Sequence, residues 1–164
     1  MSIQLYIEPL TSTSFKPYGE VIEAGDGGDI INAGNAASFT DLANIDVADN
    51  GGQVSVNIYQ ATKRGFPFEV KMVERHPLGS QAFLPMHGQR FLTIVVEQSE
   101  PPQAKNLKAF ISNGRQGINL AKGTWHHPFF AIDGGAFLVI DRKGIGENCQ
   151  EFYFENDGVF VNEK

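Results

Sequence analysis

Short runs in which apolar and polar residues alternate dominate this chain, and a period of two is the signature of half-buried strands. Residues 3–7 alternate and predict a first strand. Ser12 or Ser14 is placed to cap a short helical turn around Phe15, which Pro17 and Gly19 would end. Extended structure resumes over 18–23, and the three glycines and one aspartate of 25–28 make a loop. Ile30 and Ile31 form a short apolar run that ends in a turn at 32–35, and 39–49 reads either as a strand or as an irregular excursion. After the turn signal Asn50-Gly51-Gly52, Val54, Val56, Ile58 and Gln60 share one strand face, with Ser55, Asn57 and Tyr59 on the other. If the Val face packs elsewhere, Asn57 faces the pocket. A basic loop, Lys63-Arg64-Gly65-Phe66-Pro67, follows.

Farther on, 68–76 reads as a single strand and 81–85 as another. Residues 91–96 are apolar on both faces, as a central barrel strand would be. A polar loop over 98–106 precedes a strand at 107–111 and a tight turn at Asn113-Gly114. The runs 129–132 and 136–141 flank Asp133-Gly134-Gly135 and predict a hairpin. Residues 152–154 read as the last strand, with the acidic end as a short extension. The class is all-β, a sandwich or barrel with few short helices. No repeat or linker interrupts the pattern, so 1–164 reads as one domain.

Composition narrows the function. The 164 residues carry a formal net charge of -6, with no Lys/Arg cluster. That excludes nucleic acid and anionic membrane surfaces as partners, while a small anionic substrate is still allowed. Cys149 is the only cysteine, so no intrachain disulfide forms, which fits a reducing compartment. The start has neither a basic flank nor a long apolar run, and nowhere do about 18 apolar residues run together. The expectation is a soluble cytoplasmic protein.

The chemistry gathers in two stretches. In Glu74-Arg75-His76-Pro77, the carboxylate and the imidazole are two apart, so a strand puts both on one face and Arg75 on the other. Pro77 favours extended backbone before it. A carboxylate beside an imidazole is a general acid/base pair, a pair of metal ligands, or both. In Gly123-Thr124-Trp125-His126-His127-Pro128, adjacent histidines point to opposite faces, so one is functional and one structural. His127 is read as packing outside the pocket, His87 as exposed in a turn, and Asp141-Arg142 as structural.

These two stretches resemble the paired motifs of the cupins. Glu74, His76 and Gln81 stand at the ligand positions of the first motif, and Gly123-Thr124-Trp125-His126 matches the Gly-x-x-His of the second. More narrowly, several strings are similar to those of the ureidoglycolate lyase family, over nearly the whole length. They are Glu74-Arg75-His76-Pro77-Leu78-Gly79-Ser80-Gln81-Ala82-Phe83, Phe110-Ile111-Ser112-Asn113-Gly114, Trp125-His126-His127-Pro128 and Asp141-Arg142.

The resemblance implies a double-stranded β-helix (jelly-roll) barrel, a homodimer, and a carbon–nitrogen lyase that cleaves (S)-ureidoglycolate to glyoxylate and urea in allantoin breakdown. It also implies a divalent metal, nickel being the usual one, for which His76, Gln81 and His126 are the candidate ligands. Glu74, His76 and His126 are the candidate catalytic residues: the first two act on the substrate hydroxyl, and His126 acts on the departing nitrogen or on a metal. Gln81, Asn57 and Arg64 are the candidate substrate-binding residues. Gln81 is placed on the ureido amide. The carboxylate falls to Arg64, Lys63, Arg142 or backbone N–H groups, since Arg75 points away. The alternatives are a metal-dependent cupin isomerase or oxygenase acting on another small acid, and a non-catalytic metabolite-binding cupin.

Overall fold

The computed structural model describes residues 2–155 and 158–163. In chain order the strands are β1 (Ser2–Leu5), β2 (Ile7–Pro9), β3 (Gly19–Ile22), β4 (Asp29–Ile31), β5 (Ala36–Ser38), β6 (Gln53–Ala61), β7 (Phe68–Val70) and β8 (Met72–Arg75). They continue as β9 (Gln81–Pro85), β10 (Phe91–Val96), β11 (Leu107–Ile111), β12 (Gly117–Leu120), β13 (Phe130–Ala131), β14 (Gly135–Lys143), β15 (Gln150–Tyr153) and β16 (Gly158–Val161). A single helical turn, α1 (Ser12–Phe15), is capped by Thr11, whose Oγ1 accepts from Ser14 N at 3.1 Å. The cap therefore falls one residue before Ser12, because only there is the backbone still extended while the hydroxyl reaches the free N–H groups.

The strands form three layers. The largest sheet runs β3-β12-β9-β14-β6, the middle one β13-β10-β11-β2, and the third β1-β16-β7, with β15-β8 and β4-β5 as two-stranded ribbons. β10 carries the predicted double-sided character. Phe91 and Val95 join the core shared with the largest sheet, beside Phe83, Phe110, Ile118, Phe137 and Val139. Leu92, Ile94 and Val96 join the opposite core, with Leu5, Val70, Val73, Trp125 and Val159. Phe15, Phe91, Phe130 and Phe137 are fully buried, each stabilising by about 1.5–3 kcal/mol relative to an exposed ring. The chain is thus nearly all β, as its pattern implied, and compatible with a cupin-like β-sandwich.

Several strand expectations need correction. The run 3–7 is broken at Tyr6, with β1 paired to β16 and β2 to β11. Residues 68–76 form two strands that serve different sheets: β7 pairs with β16, and β8 with β15. The predicted hairpin over 129–141 is absent, since β13 pairs with β10 while β14 pairs with β6 and β9. The turn at Asp133-Gly134-Gly135 hands the chain from one sheet to another. Finally, the C-terminal stretch is not a mere extension, because Val159 and Val161 are buried in a strand parallel to β1. Residues 39–49, left open between two readings, lack regular structure up to the 3-10 turn Asp49–Gly51.

Candidate active site

β8 brings Glu74 to the site, and the Trp125–His127 segment brings His126. Glu74 N donates to His126 O at 2.7 Å, and His126 N donates to Glu74 O at 2.8 Å. On its other side the segment is tied to β10, through Val96 N to Trp125 O at 3.0 Å and His127 N to Ile94 O at 2.8 Å. Gly123 opens this segment with φ +81°, a conformation suited to glycine, and its N–H donates to His76 O at 2.9 Å. The two stretches, some fifty residues apart in sequence, are therefore stitched backbone to backbone at three bonds.

Their side chains converge. Glu74 Oε1 lies 3.7 Å from His126 Nε2 and 3.8 Å from His76 Nε2, and the two ring centroids are 5.2 Å apart. Those separations are too long for hydrogen bonds. Both Nε2 atoms are buried and have no hydrogen-bond partner among the described residues. Each Nδ1, by contrast, is engaged by a backbone carbonyl: His76 with Asn148 O at 2.7 Å, and His126 with Thr124 O at 2.8 Å. A carbonyl only accepts, so each Nδ1 carries hydrogen, and in the neutral ring each Nε2 presents its lone pair to the carboxylate side. Burial lowers the His126 pKa to about 3, which keeps that ring neutral. Burial also pushes the Glu74 carboxyl up, against the pull of His76 and of the Cys149 thiol, whose Sγ donates to Glu74 Oε2 at 3.8 Å.

This donor set suits a divalent cation. One carboxylate oxygen and two Nε2 atoms lie within 4.8 Å of one another. Histidines that bind metals commonly fix the other ring nitrogen on a carbonyl, as both do here. A mixed N/O set matches a borderline ion.

The remaining sequence candidates are placed as follows. Gln81 is buried at the start of β9, opposite Leu120 and in the same row as Phe83, so it belongs to the interior face. Asn57 lies on the inward row of β6, but its carboxamide is engaged: Nδ2 donates to Asp141 Oδ1 at 3.0 Å, and Oδ1 accepts from Ser55 Oγ at 3.2 Å. Arg64 is held over the rings of Phe68 and Phe130, at 4.4 and 4.8 Å. It borders a groove of about 780 Å³ together with Tyr59 and Phe129. Arg64 thus stands with His127, whose ring meets Phe68 edge-on at 5.0 Å, and the structure does not bring it into the Glu74–His76–His126 cluster. Arg75 turns away from Glu74. It pairs with Glu100 at 2.8 Å, stacks on Trp125 and lines a separate cleft of about 540 Å³.

Three residues near the site are not among the sequence candidates. Asn148 binds His76 through its carbonyl, while its side-chain Oδ1 accepts from Leu78 N at 2.7 Å. Cys149 touches Glu74. Tyr59 has its phenol pushed up by burial, then by Asp141 and Glu74, which places it in the field of both carboxylates. Tyr59 was legible as a member of the inward row. Asn148 and Cys149 lie over seventy residues from their partners and carry no spacing signal.

Fold and site together describe a nearly all-β protein, compatible with a cupin-like β-sandwich, whose Glu74, His76 and His126 form a group able to hold a metal ion. The ureidoglycolate lyase family model matches residues 2–162. The chain is 45% identical over 156 residues to the ureidoglycolate lyase of Pseudomonas fluorescens (strain Pf-5), covering 93% of each. It is 45% identical over 160 residues to that of Pseudomonas syringae pv. tomato (strain DC3000), covering 96% of this chain and 94% of the relative. Against that of Pseudomonas fluorescens (strain SBW25), identity is 46% over 156 residues. The chain belongs to the ureidoglycolate lyase family.

Proposed function

We propose that this enzyme cleaves (S)-ureidoglycolate to glyoxylate and urea, a step of allantoin and purine nitrogen breakdown. The observation that carries the reading is the single carboxylate oxygen of Glu74 facing two buried, unpartnered imidazole nitrogens. The substrate carbon bears a hydroxyl, a carboxylate and the ureido nitrogen. Cleavage moves the hydroxyl proton to the departing nitrogen as the C–O bond becomes a carbonyl and the C–N bond breaks. No water is consumed.

Glu74 takes the hydroxyl proton, with His76 beside it. Burial makes this carboxylate a stronger base than an exposed one, and the same carboxyl can return the proton to the nitrogen. His126, neutral with a bare Nε2, acts as an acceptor or ligand rather than as an acid at neutral pH. Gln81 orients the ureido amide from the interior row. Arg64 is the cation for the substrate carboxylate in this reading, since among the described residues no carboxylate pairs with it, and Asn57 contributes a carboxamide held by Asp141. A divalent ion, nickel by family resemblance, would be held by His76 and His126 with Glu74, Gln81 being the further candidate ligand by resemblance, and when bound it would supply polarisation of a substrate oxygen.

The reading extends to one domain over 1–164, built as a double-stranded β-helix barrel and working as a cytoplasmic homodimer. Among the described residues no helix is long and apolar enough to cross a membrane. Incubating the purified protein with (S)-ureidoglycolate tests the activity. Equimolar urea and glyoxylate support it; ammonia as the direct product, or no turnover, overturns it.

A further inference from the structure

β6 has two faces of opposite character. Its outward row, Val54, Val56 and Ile58, is apolar and exposed. Its inward row, Ser55, Asn57 and Tyr59, is polar. The register carries the inward row across the sheet: Ser55 lies opposite Asp141, Asn57 opposite Val139 and Tyr59 opposite Phe137, and Val139 in turn lies opposite Phe83. One step beyond the pair Ile140 and Ala82, the same register sets Asp141 beside Gln81. Ser55, Asn57, Asp141 and Gln81 therefore gather at one end of an inward face whose other members include Phe83, Phe137 and Val139.

Within that group Asp141 parts from its neighbour in sequence. Arg142 points to the opposite face, where its Nη2 donates to Asp49 O at 2.8 Å and Ile145 O at 2.9 Å. The half-buried Asp141 carboxylate is fixed through one oxygen: Oδ1 accepts from Asn57 Nδ2 at 3.0 Å, and Asn57 Oδ1 accepts from Ser55 Oγ at 3.2 Å. Among the described residues no cation pairs with Asp141, and its Oδ2 accepts no hydrogen bond. Tyr59, on the same row, stands in the field of both Asp141 and Glu74, so the two carboxylates border one space.

We infer that Asp141 recognises the ureido end of the substrate, its Oδ2 accepting from the ureido N–H groups while Gln81 beside it donates to the ureido oxygen. The inference rests on the ureidoglycolate reading above and assigns one end of that substrate. An ionised carboxylate only accepts hydrogen bonds, so it selects N–H donors and repels a second carboxylate. Ureidoglycolate has one end of each kind. Asp141 therefore fixes which way round the substrate lies, with the acid end turned away from it. Such bonds to a charged acceptor are shorter and stronger than neutral ones, and a site built to receive N–H groups rejects an acid that lacks them. Urea, the product cut from that end, keeps its N–H groups and is held by the same carboxylate; glyoxylate is not.

Product inhibition separates the two ends. Urea and glyoxylate are each titrated against turnover by the full chain, before and after Asp141→Asn. The carboxamide still accepts from Asn57 but offers an N–H group where the carboxylate accepted one. The inhibition constant for urea is expected to rise by about tenfold or more, while that for glyoxylate does not rise. Asn57→Ala keeps the carboxylate and frees its Oδ1. It is expected to raise the urea constant by a smaller factor, and it carries the test where Asp141→Asn is unfolded by circular dichroism or too slow to assay. A urea constant unchanged in the folded variants, or raised in equal measure with that for glyoxylate, overturns the assignment of Asp141 alone. Failure of the unmodified protein to form urea and glyoxylate overturns the ureidoglycolate reading and this inference with it.

Discussion

Glu74 and His126 hold one another by reciprocal backbone hydrogen bonds of 2.7 and 2.8 Å, and that pairing sets their side chains 3.7 Å apart at Oε1 and Nε2. The distance between acid and imidazole is thus fixed by main chain, not by side-chain packing alone. Substitution of either side chain should remove chemistry while sparing the scaffold that presents it.

His126→Ala should lower kcat/KM by about 10²-fold or more, with the circular dichroism spectrum retained. Urea release under single-substrate conditions measures it. Activity equal to the unmodified enzyme would remove His126 from the reaction.

Asn148→Ala leaves the carbonyl that orients His76 but cuts the Oδ1 bond to Leu78 N that pins it. Affinity for a divalent ion should fall by about tenfold or more, as for other partners of ligating histidines. Calorimetric titration of the metal-free protein with Ni²⁺ or Zn²⁺ reports this, and unchanged affinity would show that the loop plays no part in presenting His76.

The metal-free protein should lose stability on mild acidification. His126 titrates near 3 and His127 near 4 when folded, below the ordinary 6.5, so the unfolded chain binds more protons below pH 6.5. Stability therefore rises with pH across that window and falls as pH drops. For His126 the loss at pH 5 is about 2 kcal/mol. The raised Glu74 carboxyl works in the opposite sense at the low end, since its native form takes up protons first. Urea midpoints at pH 7.5 and pH 5 should differ accordingly, and equal midpoints would contradict a buried neutral His126.

Gly123→Ala should cost about 1 kcal/mol, the penalty of a side chain at positive φ. The strain falls on the residue whose N–H binds His76 O, so the variant should lose activity as well as thermal stability. A midpoint unchanged on heating would argue against that backbone assignment.

Arg64→Ala should raise KM for ureidoglycolate with kcat little changed, if its cation draws in the substrate carboxylate. A fall in kcat at constant KM would place Arg64 in a different role.

Much of this was legible in the residues. The alternation over 54–60 gave the correct two faces of β6, and the double-sided run at 91–96 gave a strand buried from both sides. The spacing of Glu74 and His76 put both on one strand face, while the choice of His126 over His127 came from the resemblance; the structure sets His126 Nε2 3.7 Å from Glu74 Oε1. What could not be read was partner choice. The run after Asp133-Gly134-Gly135 has every local mark of a returning hairpin strand, yet β14 gains more by lying between β6 and β9, where Phe137 and Val139 reach the core. Val159 and Val161 were masked by the acidic residues around them. The contact of Asn148 with His76 spans 72 residues and exists only in three dimensions.

The third sheet has Gly158–Val161 as its middle strand, with Ser2–Leu5 on one side and Phe68–Val70 on the other. The pairing of Ser2 with Gly158 thus joins residues more than 150 positions apart. Without β16, Leu5 and Val70 have no shared neighbour to cover them. A chain lacking 158–161 would leave that face open to water.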